Sequence, residues 1–119
     1  RFKNTLMAAM MPIMLSMTTN AAEPFALVEL FTSEGCSSCP PADRVARELV
    51  EDEDERNVFV LSFHVDYWDR LGWKDPYASA AASDRQRVYS ETLRGQRVYT
   101  PQMVVNGAVG FVGSDKARA

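Results

Sequence analysis

Cys36 and Cys39 stand three apart in Gly35-Cys-Ser-Ser-Cys-Pro-Pro41, and the chain has no other cysteine. Two cysteines are too few for a disulfide scaffold or a four-cysteine zinc site. A two-residue spacer lets the sulfurs pair in a small, readily exchanged ring, or lets the second attack a mixed disulfide formed at the first. Pro40 and Pro41 suit a first helical turn, where a missing N–H costs nothing. The helix is therefore expected to start at about Ser38 or Cys39, with both sulfurs near its positive end. Unpaired N–H groups and the helix dipole favour a thiolate there. Residue types alone leave three readings open: a redox-active dithiol, an inert disulfide, or part of a metal site.

The flanking residues set this segment between a strand and a helix. Phe25 to Phe31 is an almost continuous apolar run of strand length, the pattern of a strand buried on both faces. Ala42, Val45, Ala46 and Leu49 then fall at i, i+3, i+4 and i+7, the apolar stripe of an amphipathic helix. The acidic run from Glu51 to Glu55 reads as a solvated turn, and Val58 to Phe63 as a second buried strand. Strand, helix and strand make a βαβ unit. His64 to Pro76 is polar and aromatic without a clean period and reads as an insertion. Ala80 to Leu93 is expected to be helical, ending near Gly95. Asn106-Gly107 between the apolar runs Gln102–Val105 and Ala108–Val112 predicts a hairpin, because both turn residues tolerate positive φ. Ser114-Asp115-Lys116 reads as the start of a last helix that stops at Ala119. The whole is an α/β domain with a central mixed sheet flanked by helices and a truncated final helix.

Residues 1–22 have the layout of a secretory signal peptide. Arg1 and Lys3 precede an apolar run from Leu6 to Met17, and Thr19-Asn20-Ala21-Ala22 supplies small residues for cleavage. That run is too short for a membrane span, which needs about 20 residues. The mature domain is then 23–119, in a periplasmic or secreted, oxidising setting. With 13 basic against 16 acidic side chains, a net charge of −3, the chain carries no electrostatic footprint for nucleic acid. The natural chain is expected to run past residue 119, since a last helix would cover hairpin side chains such as Val104 and Val109.

The sequence resembles the thioredoxin-like superfamily in Leu27-Val-Glu-Leu-Phe31, Cys36-Ser-Ser-Cys39, Thr100-Pro101 and Asn106-Gly107. More narrowly it is similar to an uncharacterised family of exported bacterial thioredoxin-like proteins. The strings that carry this are Glu29-Leu-Phe-Thr-Ser33, Gly35 to Asp43, Ser62 to Trp68, Leu71 to Asp75 and Tyr99 to Val105. It departs from thioredoxin in having no Trp before Cys36 and no Gly-Pro between the cysteines. The resemblance implies a thioredoxin-like fold and thiol–disulfide exchange with protein thiols or disulfides, needing no cofactor. Cys36 would be the attacking thiolate, Cys39 the resolving thiol, and Thr100-Pro101 a substrate-binding loop with a cis peptide facing the dithiol.

The resemblance also offers Glu29 as a buried acid relaying a proton to the second cysteine; the other reading is a partly exposed, edge-facing Glu. A buried carboxyl can act as a base near neutral pH. Cys36, after Gly35, is expected to be the more open of the two cysteines. His64, the one histidine, ends the second strand, where parallel α/β sheets build sites, so His64 and Asp66 are candidates to border the dithiol. Cys36, Cys39 and His64 could alternatively supply three metal ligands in a non-enzymatic metal-binding or metal-delivery protein. A third alternative is a binding module whose disulfide is only structural. Tyr67, Trp68 and Trp73 either form an apolar rim for a partner polypeptide or pack the insertion onto the domain.

Overall fold

The apolar run after Phe25 becomes the central strand of a four-stranded sheet. The computed structural model describes residues 20–52, 54, 57–93, 95 and 97–119. The leader expected over 1–22 lies almost wholly outside the described residues, as do Glu53 and Glu55 of the acidic run. The elements are β1 (Ala26–Thr32), α1 (Pro40–Glu51), β2 (Val58–His64), a 3-10 turn at Asp69–Leu71, α2 (Ala80–Thr92), β3 (Gln102–Val105) and β4 (Val109–Val112). Among the described residues no helix is long and apolar enough to cross a membrane.

The sheet is mixed, in the order β2-β1-β3-β4. β1 runs parallel to β2 and antiparallel to β3, and β3 and β4 form the hairpin. Its turn is Asn106-Gly107, with φ of 52° and 65°. The Asn106 side chain also accepts the Leu27 N–H at 2.8 Å, tying the turn to the central strand.

Strand alternation divides the core between two faces. Val28, Leu30, Met103 and Phe111 pack against Ala42, Val45 and Ala46 of α1. Phe31 and Val104 lie on the other face, with Phe63, Tyr89 and the insertion residues Tyr67 and Trp68. Val104 is therefore buried, contrary to expectation, because this face is already covered. Val109, on the α1 face at the sheet edge, is 50% exposed as expected. Residues 114–119 form turns in place of the expected helix start, with the Arg118 N–H on the Asp115 carbonyl at 3.1 Å.

Candidate functional site

The β1–α1 connection holds the two cysteines at the helix start. They are joined in a disulfide with Cα atoms 5.4 Å apart. Cys39 is the N-cap of α1, its carbonyl accepting from the Asp43 N–H at 3.0 Å, and Pro40 and Pro41 occupy the first two helical positions. The turn ahead is tight: the Cys36 N–H donates to the Ser33 carbonyl and the Cys39 N–H to the Cys36 carbonyl, each at 3.2 Å. Cys36, expected to be the more open of the two, is scarcely so. Both cysteines are buried, at 2% and 0% exposure. The turn is drawn into the domain, with Gly35 so close to Trp68 that a Cβ there would stand 3.2 Å from the Trp68 Cβ.

Thr100-Pro101 carries the expected cis peptide. Bonds from α2, from the insertion and from the end of β4 hold the loop. Gln86 Nε2 of α2 donates to the Tyr99 carbonyl at 2.6 Å. Trp68 Nε1 donates to Thr100 Oγ1 at 2.8 Å. The Gly113 N–H donates to the Pro101 carbonyl at 3.1 Å. A Cβ on Gly113 would stand 3.1 Å from the Ala42 Cβ and 3.4 Å from the Pro101 Cβ. Pro101 and the first turn of α1, three residues past Cys39, thus flank the same glycine.

Glu29 is fully buried on the central strand, so the edge-facing alternative does not hold. Its neighbours Val28 and Leu30 face α1, and alternation turns Glu29 to the opposite face. There its carboxylate pairs with Arg85 and accepts from the Tyr89 hydroxyl, both on α2. Burial, with the anion beside it, pushes the Tyr89 phenol up. The Glu29 carboxylate is bound to α2 on the face away from α1.

His64 is held by a residue the sequence did not single out. Its Nδ1 lies 2.5 Å from Oδ2 of Asp75, whose side chain is fully buried. Asp75 also accepts the N–H of Glu34 at 2.9 Å and of Tyr77 at 2.9 Å. Burial raises the Asp75 pKa, but these hydrogen bonds and the His64 charge outweigh it and hold the carboxyl below its usual range. His64 lines a cleft of about 430 Å³ with Glu34, Asp43, Arg47 and Ser62. Asp66 is engaged with Ser83 of α2, its N–H and carboxylate both on that hydroxyl. Among the described residues no three His, Cys, Asp or Glu side chains gather as a metal ion would require.

The aromatic insertion divides. Tyr67 and Trp68 pack onto the domain, while Trp73 is 61% exposed and donates its indole N–H to Glu34 at 2.8 Å. Gln86 is the other residue the sequence reading missed. Its signal was present, since Ala82, Gln86, Tyr89 and Leu93 fall at i, i+4, i+7 and i+11, with an amide in the inward stripe.

The chain belongs to the family described as protein of unknown function (DUF1223), whose model matches residues 27–119. It is similar to the crystal structure of protein AGR_C_4864 from Agrobacterium tumefaciens, at 44% identity and a TM-score of 0.73. The match covers 82% of this chain and 43% of that one, so this chain spans less than half the length of that relative. No curated protein matches it.

Proposed function

We propose that this chain is an exported thiol–disulfide oxidoreductase with a thioredoxin-like fold, acting on protein thiols or disulfides through Cys36 and Cys39. The observation that carries the reading is the Cys36–Cys39 disulfide at the N-cap of α1, with Pro101 and Ala42 of that first helical turn flanking the same glycine, Gly113. A helix N-terminus lowers the pKa of a cysteine placed there, and the thiolate is the reactive form. Residues 1–22 are the leader that takes the domain to a periplasmic or extracellular compartment.

In the reduced protein the Cys36 thiolate attacks one sulfur of a substrate disulfide. A Cys36–substrate S–S bond forms, the substrate S–S bond breaks, and one substrate thiolate leaves and takes up a proton. Cys39 then loses its proton and attacks the Cys36 sulfur, expelling the second substrate thiolate and closing the Cys36–Cys39 bond. Two electrons pass from the dithiol to the substrate. With a substrate dithiol the same steps run in reverse. Thr100 and Pro101 form the wall along which an extended substrate lies. Glu29 takes no part, because its carboxylate is committed to Arg85 and Tyr89.

The burial of both sulfurs favours a second reading, in which the disulfide only staples the turn ahead of α1. Mixed-disulfide trapping separates the two. Cys36→Ser is expected to abolish exchange with a disulfide-bonded peptide, and Cys39→Ser to accumulate a covalent adduct through Cys36. Adduct through Cys39 reverses the roles. If neither substitution changes any exchange rate, the staple reading stands.

A further inference from the structure

Trp68 touches both walls of the proposed site. Its Cβ lies against Gly35, the residue before Cys36, and its indole N–H donates to the hydroxyl of Thr100, the residue before Pro101. The residue before it acts on the same loop. The Tyr67 hydroxyl donates to Gln86 Oε1 at 2.8 Å, and Gln86 Nε2 holds the Tyr99 carbonyl. Two consecutive residues of the insertion thus fix two consecutive residues ahead of Pro101. Tyr67 acts through an amide of α2 and also meets the Thr100 side chain, whereas Trp68 joins the loop directly to the disulfide turn.

Resting on the oxidoreductase reading, we propose that Trp68 is a positioning residue that locks the Thr100-Pro101 loop to the disulfide turn and thereby selects extended polypeptide disulfides over small-molecule ones. The chemistry requires this difference. A small disulfide needs only one sulfur within reach of Cys36. A polypeptide must also lay its backbone along Thr100, and a loop already fixed relative to the sulfur saves the ordering cost of that second contact. Because the indole N–H is taken up by Thr100 Oγ1, the hydroxyl serves as an anchor for the loop. The Tyr99 and Pro101 carbonyls are bonded to Gln86 and Gly113, and the Thr100 backbone between them is what meets substrate.

The test uses Trp68→Phe, Thr100→Val and Thr100→Ser in the full chain, with each variant's urea midpoint recorded. Rate constants are measured for the reduced protein with a disulfide-bonded peptide and with 2,2′-dithiodipyridine. The ratio of the peptide rate to the small-molecule rate is expected to fall roughly tenfold in Trp68→Phe and Thr100→Val, as the loss of one hydrogen bond worth about 1.4 kcal/mol gives. Thr100→Ser keeps the hydroxyl and is expected to restore the ratio. Combining Trp68→Phe with Thr100→Val should lower the ratio no further than Thr100→Val alone, because Thr100→Val already removes the bond to Trp68. A ratio that stays constant while both rates fall, or a Thr100→Ser ratio as low as that of Thr100→Val, overturns the positioning role alone. An unmodified chain that exchanges with neither substrate sinks the oxidoreductase reading, and this proposal with it.

Discussion

Glu29 and Arg85 meet across 56 residues of sequence, a fully buried carboxylate on the central strand paired with a guanidinium on α2. The Arg85 side chain is 44% exposed, so its charge keeps contact with water while that of Glu29 does not. The guanidinium also lies over the Phe63 ring, 5.2 Å from its centroid.

The pair is therefore asymmetric. Arg85→Met is expected to strand a buried anion beside Tyr89 and to cost about 3–5 kcal/mol. Arg85→Met combined with Glu29→Leu should recover most of that loss, since an apolar pair leaves no uncompensated charge. Urea denaturation of the two single variants and the double variant checks this. A double variant no more stable than Arg85→Met contradicts it.

Burial pushes the Tyr67 phenol up to about 12, with Gln86, Thr100 and Arg87 pulling partly back. A folded-state value above the unfolded 10.0 means the native state holds this proton more tightly. The associated stability is complete below pH 10.0 and is lost as pH rises towards about 12. Tyr89 and Tyr99 are shifted in the same direction, also chiefly by burial. Tyr67→Phe should lower stability by about 1 kcal/mol at neutral pH, from the lost bond to Gln86. It should also flatten the alkaline decline. Urea midpoints at pH 7, 10 and about 12 measure both effects.

The elements that sequence pattern revealed are those that neighbouring residues decide. The stripe Ala42-Val45-Ala46-Leu49, the run Phe25–Phe31 and Asn106-Gly107 each state their structure within a few residues and formed as expected. Val58–Phe63 is a strand but not the buried one expected, because it lies at the sheet edge with Phe59 and Leu61 exposed. What the pattern could not reveal depends on partners far along the chain. Gly35, ahead of Cys36, meets Trp68, and Trp68 comes from an insertion without periodicity. Glu29 reads as an unusual acid in a strand, but only the placement of α2 decides that Arg85 meets it. Asp75 lies in that insertion beside Pro76, with no local sign that Glu34 and His64 converge on it from elsewhere in the chain.

Asp75 supplies the acid-side counterpart. Its carboxyl is held below the ordinary 3.8, because bonds from the Glu34 N–H, His64 and the Tyr77 N–H outweigh the opposing effect of burial. A depressed folded-state value gives stability that is present above 3.8 and lost as pH falls through the lower native value. Asp75→Asn should remove that acid-dependent step. It should also cost about 1–3 kcal/mol at pH 7, since one acceptor becomes a donor facing N–H groups. Thermal unfolding from pH 7 down to pH 3 tests it, and an unchanged acid slope in the variant counts against this assignment.

Gly113 is the point where β4 ends against the helix that carries the disulfide. A methyl group placed there would meet Leu30 Cδ1 at 2.8 Å, the Ala42 Cβ at 3.1 Å and the Pro101 Cβ at 3.4 Å. The Leu30 methyl is the end of a flexible side chain, but the residue is fully buried and has little room to turn. The Pro101 contact is an ordinary one, but the Ala42 carbon cannot turn, so relief must come from moving Gly113 away from the first turn of α1, and the Pro101 carbonyl bonded to its N–H moves with it. Gly113→Ala is therefore expected to cost about 1–3 kcal/mol, the usual effect of overfilling a packed core. The denaturant midpoint should fall while the slope of the transition stays constant, because the surface exposed on unfolding is the same. Exchange with a disulfide-bonded peptide should fall as well, since the displaced loop carries Thr100. A variant as stable as the parent and equally active would mean that Gly113 does not set the distance between Pro101 and the disulfide turn.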